Sequence, residues 1–208
     1  MDGLLIPLFP LEVVLYPGQP LPLHIFEDRY KEMIGECLEA KTEFGVVLHK
    51  DNAIGNVGCT ASITNVVKRY DDGRLDIETT GERRFEVLFL DDAKTYMQAA
   101  AQFFLDEESE ISEDLRARVI ALHQETVGHM ISDPAARGRL QPDPAAPCLS
   151  FAVAGPLPIE LEFKQSLLPL RSEQERLERL AEYLGKLNVR LRTVTRVRHV
   201  AGSNGQGR

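Results

Sequence analysis

Between Phe26 and Leu38 the apolar residues recur at helical spacing. Phe26, Tyr30, Met33, Ile34, Cys37 and Leu38 lie at i, i+4, i+7, i+8, i+11 and i+12, which is one face of an amphipathic helix. That helix is expected to run to about Glu39 or Ala40, with Glu27 and Asp28 at the positive end of its dipole. On either side the period drops to two. Ile6–Phe9, Leu21–Ile25, Glu43–His49, Gly58–Tyr70, Leu75–Thr79 and Tyr96–Leu105 read as strands. Asp51–Asn56 reads as a loop. Asp71-Asp72-Gly73-Arg74 is the strongest hairpin signal, because Asp-Gly takes up the positive φ of tight turns. Gly81 interrupts the return strand and suggests a bulge, after which Phe85, Val87 and Phe89 resume the alternation. About six strands with one early helix, linked by hairpins, predict an antiparallel sheet or partly open barrel.

At Asp106 the pattern changes. The acidic run Asp106-Glu107-Glu108-Ser109-Glu110 precedes a helix that Ser112 is placed to cap. Asp133–Cys148 holds Pro134, Pro142, Pro144, Pro147 and Gly138 and reads as a loop. Leu149–Ala154 reads as a short helix or turn, and Glu160–Leu168 as a short helix. Ser172-Glu173-Gln174-Glu175 is a capping box. After it Leu177, Leu180, Leu184, Leu187, Leu191 and Val194 follow at steps of 3, 4, 3, 4 and 3. The seam packs on the preceding helices or joins a second copy. The expected division is a β-rich part over 1–106, a helical part over 107–200 and a frayed tail over 201–208.

Composition alters the picture chiefly at the start. Five of the 12 prolines (Pro7, Pro10, Pro17, Pro20, Pro22) fall in an otherwise apolar stretch ending at Tyr30. Proline cannot donate to a ladder, so this stretch is expected to form edge strands and turns pressed onto a core. Pro17-Gly18 is its turn. If a site lies here, it is at Tyr16, Pro17 and Gly18, where a turn at a strand rim can face a partner.

The net charge of −8 falls on residues 1–106, while 107–208 is neutral. An acidic half argues against a surface that tracks phosphates. Arg190, Arg192, Arg196 and Arg198 form a local basic cluster that suits either a helix C-terminus or an anionic partner. Cys37, Cys59 and Cys148 are scattered, with no disulfide framework or CxxC motif; all three read as buried, reduced thiols. No apolar run is long enough for a membrane span, and the start lacks the basic n-region of a signal peptide. A cytoplasmic location is expected.

Candidate chemistry is sparse. No GxxxxGK[ST] or GxSxG is present. No two of His24, His49, His123, His129 and His199 are three or four residues apart, so no helix offers a metal two imidazoles. His24 reads as a hydrogen-bonded structural residue. Glu82-Arg83-Arg84 reads as a local ion pair beside the bulge. Catalysis, cofactor and metal are not expected.

The opening PLFPLEVVLYPGQPLPLHIFEDRY resembles the N-terminal signature of the ATP-dependent Lon protease family. The matching residues are Pro7-Leu8, Val13, Pro17-Gly18, Pro22-Leu23 and Ile25-Phe26-Glu27-Asp28-Arg29-Tyr30. Val57–Ala61 with Ile63, Gly81–Val87, Lys164–Leu168 and Arg176-Leu177 resemble further family segments, so the likeness covers about residues 4–195. The resemblance implies an α+β fold: a PUA-like, antiparallel β-rich pseudobarrel with one inserted helix, followed by a C-terminal helical subdomain. It implies a stand-alone, non-catalytic module that binds polypeptide substrates, without the ATPase and peptidase modules. A protease in trans and a homodimer through the C-terminal helix are the further partners considered. RNA binding is the alternative function, since PUA-like folds elsewhere bind RNA; the acidic half makes nucleic acid the less expected partner.

Overall fold

The computed structural model describes residues 4–108 and 110–203, with side chains described over 5–108 and 110–193. In chain order the elements are β1 (Leu4–Leu11), β2 (Pro20–Ile25), α1 (Asp28–Ala40), β3 (Phe44–Lys50), β4 (Ala53–Ile54), β5 (Val57–Arg69), β6 (Leu75–Asp91) and β7 (Gln98–Phe103). They continue with α2 (Glu113–Met130), α3 (Pro134–Arg139), α4 (Leu149–Ala154), α5 (Leu161–Leu167) and α6 (Glu173–Ser203). Two compact units result: Met1–Asp106 with Ile159–Arg171, and Glu107–Pro158 with Ser172–Arg208.

The first unit is a seven-stranded sheet in the order β1-β7-β6-β5-β3-β4, with β2 on β6 and β1 also pairing β3. It closes into a pseudobarrel because β1 changes partner halfway. Leu4–Pro7 run antiparallel to β7, and Leu8–Leu11 run parallel to β3. This corrects the expectation that the prolines keep β1 at an edge. Successive backbone donors point to opposite sides of a strand. The Leu8 N–H donates to Met97 O at 2.8 Å, so Pro10 faces that same side beyond the end of the β7 ladder. Pro7 faces the other side, where pairing with β3 begins only at Leu8. Neither ring removes a needed donor. Strand β2, with Pro20 and Pro22, pairs with β6 alone and is the proline-blunted edge that the sequence predicts.

Two apolar clusters fill this unit. Phe9, Leu15, Ile25 and Tyr30 from the opening stretch pack with the inner face of α1 (Met33, Ile34, Cys37) and with Phe44 and Ile77. Ile6 and Leu8 pack with Val47, Phe85, Ala99 and Ala101. The acidic face of α1 is tied down rather than merely solvated. Glu36 accepts from Lys94 Nζ and Tyr96 Oη, each at 2.6 Å, and Glu32 accepts from Thr95 Oγ1 at 2.7 Å. These bonds hold the Glu36 carboxyl below its ordinary range, the Lys94 contact contributing most.

Ile159–Arg171, helical by its spacing, packs with the strands. The Tyr16 hydroxyl donates to Lys164 O at 2.8 Å. The buried Arg84 guanidinium donates to Leu168 O at 3.0 Å and Leu170 O at 2.6 Å, and pairs with Asp106. In place of the expected local ion pair at Glu82–Arg84 the charges find distant partners: Arg83 pairs with Glu43 at 3.0 Å, and Glu82 accepts a hydrogen bond from Ser62 Oγ.

In the second unit α6 packs on α2 and α4. Leu177, Leu180 and Leu184 of the seam are fully buried there, while Leu187 and Leu191 are half-buried. The side chains of Val194, Arg196 and Arg198 lie outside the described residues, as do residues 204–208 of the expected tail; 201–203 continue α6. The expected loop over 133–148 contains α3, because Asp133 caps it by accepting from the backbone N–H groups of Ala135 and Ala136. Cys37 and Cys59 are buried, whereas Cys148, just ahead of α4, is only partly so. Burial pushes the Cys59 thiol up to about 12.

His123 on α2 is fully buried, and neither ring nitrogen has a hydrogen-bond partner. Desolvation holds its pKa below the ordinary value. Below the unfolded-state pKa the unfolded chain binds a proton that the folded chain refuses, so stability rises with pH through that window. Urea titrations should show the helical unit losing at most about 1.4 kcal/mol per pH unit below pH ~6.5. In His123→Leu that slope should flatten; an unchanged slope would assign it to other groups.

Candidate functional site

The turn at Tyr16-Pro17-Gly18 faces outward only in part. Tyr16 is 0% exposed, and its hydroxyl is engaged with Lys164 O. That corrects the expectation of a partner-facing Tyr16 side chain: it is a core residue. Pro17 is half-buried and Gly18 exposed, with φ +77°. Gly18 N–H donates to Gly81 O at 2.7 Å, fastening the turn to β6.

The surface that stands out lies on β6, β7 and β1. Leu88, Phe89 and Leu90 are exposed, Phe89 by 56%, and Leu5 is 47% exposed. Register explains the position of Phe89. Phe85 and Val87 face the interior, paired with Phe103 and Ala101. A bulge between Val87 and Phe89 then sets Phe89 opposite Ala100 instead of Ala99. Since opposed residues share a face, the bulge turns Phe89 outward, where continued alternation would send it inward. Ala100 also pairs with Leu5. The outer face therefore carries Leu5, Ala100 and Phe89 in one row, with the small Ala100 buried between two large exposed side chains.

Carboxylates flank this row. Glu86 pairs with Gln102, and Asp91 with Gln98, so both share the outer face with Phe89, one row to either side. The Glu86 carboxylate has no hydrogen-bond or ion-pair partner among the described residues, and that of Asp91 accepts only from Ala93 N, at 3.0 Å.

Glu86 also lines a cleft of about 570 Å³, together with Leu48, Gly55, Val57, Gln165 and Pro169. α5 forms one wall. Its Gln165 donates to Val57 O at 2.9 Å, while Gln165 Oε1 is buried with no donor. Glu162 on the rim is paired with Lys50, which holds its carboxyl below the usual range. The arrangement is a shallow, mainly apolar and acid-rimmed cleft. Among the described residues no group of three or more His, Cys, Asp or Glu could hold a metal ion. His24 gives Nδ1 to Asp76 Oδ1 at 2.5 Å, the structural pairing expected of it. No helix among the described residues is long and apolar enough to cross a membrane.

None of Leu5, Glu86, Phe89, Asp91 or Gln165 is picked out as a site residue by the sequence reading. The available signal was the run Leu88-Phe89-Leu90, three apolar residues where an alternating strand should show a polar one.

The family model for the ATP-dependent protease La (LON) substrate-binding domain matches residues 5–186. A Lon protease of Buchnera aphidicola subsp. Baizongia pistaciae is 28% identical over 189 residues, covering 84% of this chain and 24% of that protein. Lon protease 2 of Herpetosiphon aurantiacus is 26% identical over 194 residues, covering 87% and 24%. The chain spans about a quarter of the length of these curated relatives. Among solved structures, a Lon N-terminal domain protein from Xanthomonas campestris superposes with a TM-score of 0.67 at 24% identity, over 86% of this chain and 98% of that one. The N-terminal domain of a Mycobacterium avium complex Lon protease gives a TM-score of 0.59 at 19% identity, over 87% and 98%. At those identities the two structures speak for the fold.

Proposed function

Because the chain belongs to the LON substrate-binding domain family, we propose that it binds polypeptide substrates through the outer face of β1–β7–β6 and the adjoining cleft. These 208 residues contain no ATPase or peptidase module, and in this reading the domain performs no chemistry of its own. The observation that carries it is the outward turn of Phe89 beside Leu5, an exposed apolar row with Glu86 and Asp91 on either side. Unfolded chains expose the apolar side chains such a row would cover. The blunted β2 edge argues against strand addition as the mode of capture.

Fluorescence anisotropy with a labelled, reduced and alkylated, permanently unfolded test protein checks the reading. Burying a Phe side chain contributes roughly 1.5–3 kcal/mol, so Phe89→Ser should weaken binding about tenfold or more, and Phe89→Leu should restore most of it. Equal binding by wild type, Phe89→Ser and Leu5→Ser would overturn the assignment of this face.

The finer parts of the proposal are a protease acting in trans, a homodimer through the C-terminal helix and a cytoplasmic location. Three free cysteines fit a reducing compartment. On α6, Val189 is exposed and offers an apolar contact to a second copy. RNA is the weaker alternative, because unpaired Glu86 and Asp91 repel phosphates and Arg192 is occupied by Glu125 at 2.6 Å.

A further inference from the structure

We infer that the outer face of β6 and β7 selects extended segments in which basic, apolar and basic side chains alternate, with one residue between each. The inference rests on the reading of this face as polypeptide-binding, and names the class of segment it takes.

The outer rows are Glu86–Gln102, then Phe89–Ala100–Leu5, then Asp91–Gln98–Pro7. Their β7 members are two residues apart, so the rows repeat about every 7 Å. An extended segment laid along this face repeats its downward side chains at the same ~7 Å interval. Three successive downward side chains thus meet a carboxylate, the apolar row and a second carboxylate. The bulge after Val87 makes this comb, because it turns both Phe89 and Asp91 onto the face that carries Glu86. Ala100 is covered between Leu5 and Phe89, so the central apolar side chain packs on the exposed surfaces of Leu5 and Phe89. β7 is paired on both sides, to β1 and β6, so its backbone has little left to offer and selection falls to side chains.

The charges favour a basic partner. Neither Glu86 nor Asp91 has a cation within ion-pair distance among the described residues, and Asp92, next in the chain, is exposed as well. Exposed ion pairs are individually weak, so two of them should give roughly a three- to tenfold preference at low salt. In about 0.5 M salt the screening length falls to about 4 Å and most of that preference should vanish.

The test uses the whole chain and three labelled peptides. One carries a Lys-Ser-Leu-Ser-Lys core, one has the same composition with the two lysines adjacent, and one has Glu in place of Lys. The alternating lysine peptide should bind roughly three- to tenfold tighter than its scramble. That margin should shrink to within about twofold in high salt and in the Glu86→Gln, Asp91→Asn double variant. Equal binding of the alternating and scrambled peptides would overturn the inference while leaving polypeptide binding intact. If neither the peptides nor the unfolded test protein bind, the functional reading itself fails. A dimer by light scattering that Phe89→Ser returns to monomer would make a second copy the occupant, and would likewise overturn the inference.

Discussion

Replacing Arg176 with methionine is expected to destabilise the helical unit by roughly 3–5 kcal/mol, the range for breaking a buried ion pair from one side. Arg176 is fully buried. Its Nη2 lies 2.7 Å and its Nε 2.9 Å from Glu173 Oε2, and Nε also donates to Ser150 Oγ at 3.0 Å. The guanidinium sits 4.4 Å above the Phe151 ring. Glu173 in turn accepts from Ser150 N–H at 2.8 Å and from its hydroxyl at 2.6 Å, so one carboxylate joins the first turn of α4 to the first turn of α6. Without the guanidinium that carboxylate stays buried and uncompensated. Removing both charges in Glu173→Gln, Arg176→Met should therefore recover at least half the loss, since whole pairs are replaced far more cheaply than they are broken. Urea unfolding of the two variants decides it. A single variant within about 1 kcal/mol of wild type would contradict a role for the pair in stability.

Gly81→Ala is the second large expectation. A Cβ at Gly81 would stand 2.2 Å from Tyr16 O and 3.0 Å from its carbonyl carbon. Both are backbone atoms, so relief requires moving either β6 or the turn. That turn is held by the Gly18 N–H donating to Gly81 O at 2.7 Å and the Gly81 N–H donating to Gln19 O at 2.9 Å. The cost should be about 3 kcal/mol, the upper end for overpacking. It should appear with faster hydrogen exchange at Gly18 and Gly81 as those bonds loosen. Gly35→Ala is the control. Nothing lies within 4 Å of a Cβ there, in the interior of α1, so helix propensity should stabilise by roughly 0.5–1 kcal/mol. A Gly81→Ala protein as stable as wild type would mean the turn is not seated as described.

The features legible in the sequence are the local ones. The Phe26–Leu38 spacing gives α1, Asp71–Arg74 gives a hairpin with Gly73 at φ +83°, and Ser172 accepts the Glu175 N–H at 3.3 Å, one half of the capping box. What was not legible depends on distant partners. β1 changes neighbours at Leu8 because β3 and β7 reach it from opposite sides. The Lys164–Leu170 stretch belongs with the strands through Tyr16 and Arg84, far away in sequence. Phe89 looks like a continuation of the Phe85–Val87 core face, and only the β6–β7 register reveals the bulge that turns it outward. Tyr16 looks exposed as part of a turn, but its hydroxyl finds an inward carbonyl. The candidate site was the least legible part, since it consists of one register shift, one small residue and two carboxylates left without a cation.

The central claim is that polypeptide meets the outer face of β6–β7–β1 and the cleft beside α5. Backbone amide chemical-shift mapping during titration with an unfolded polypeptide tests it most directly. The account predicts shifts concentrated at Leu5, Glu86–Asp91, Gln98–Gln102 and Gln165, with little change at the β2 edge. Shifts gathered instead on α1 or at Pro17-Gly18, with Phe89 and Ala100 unmoved, would contradict it.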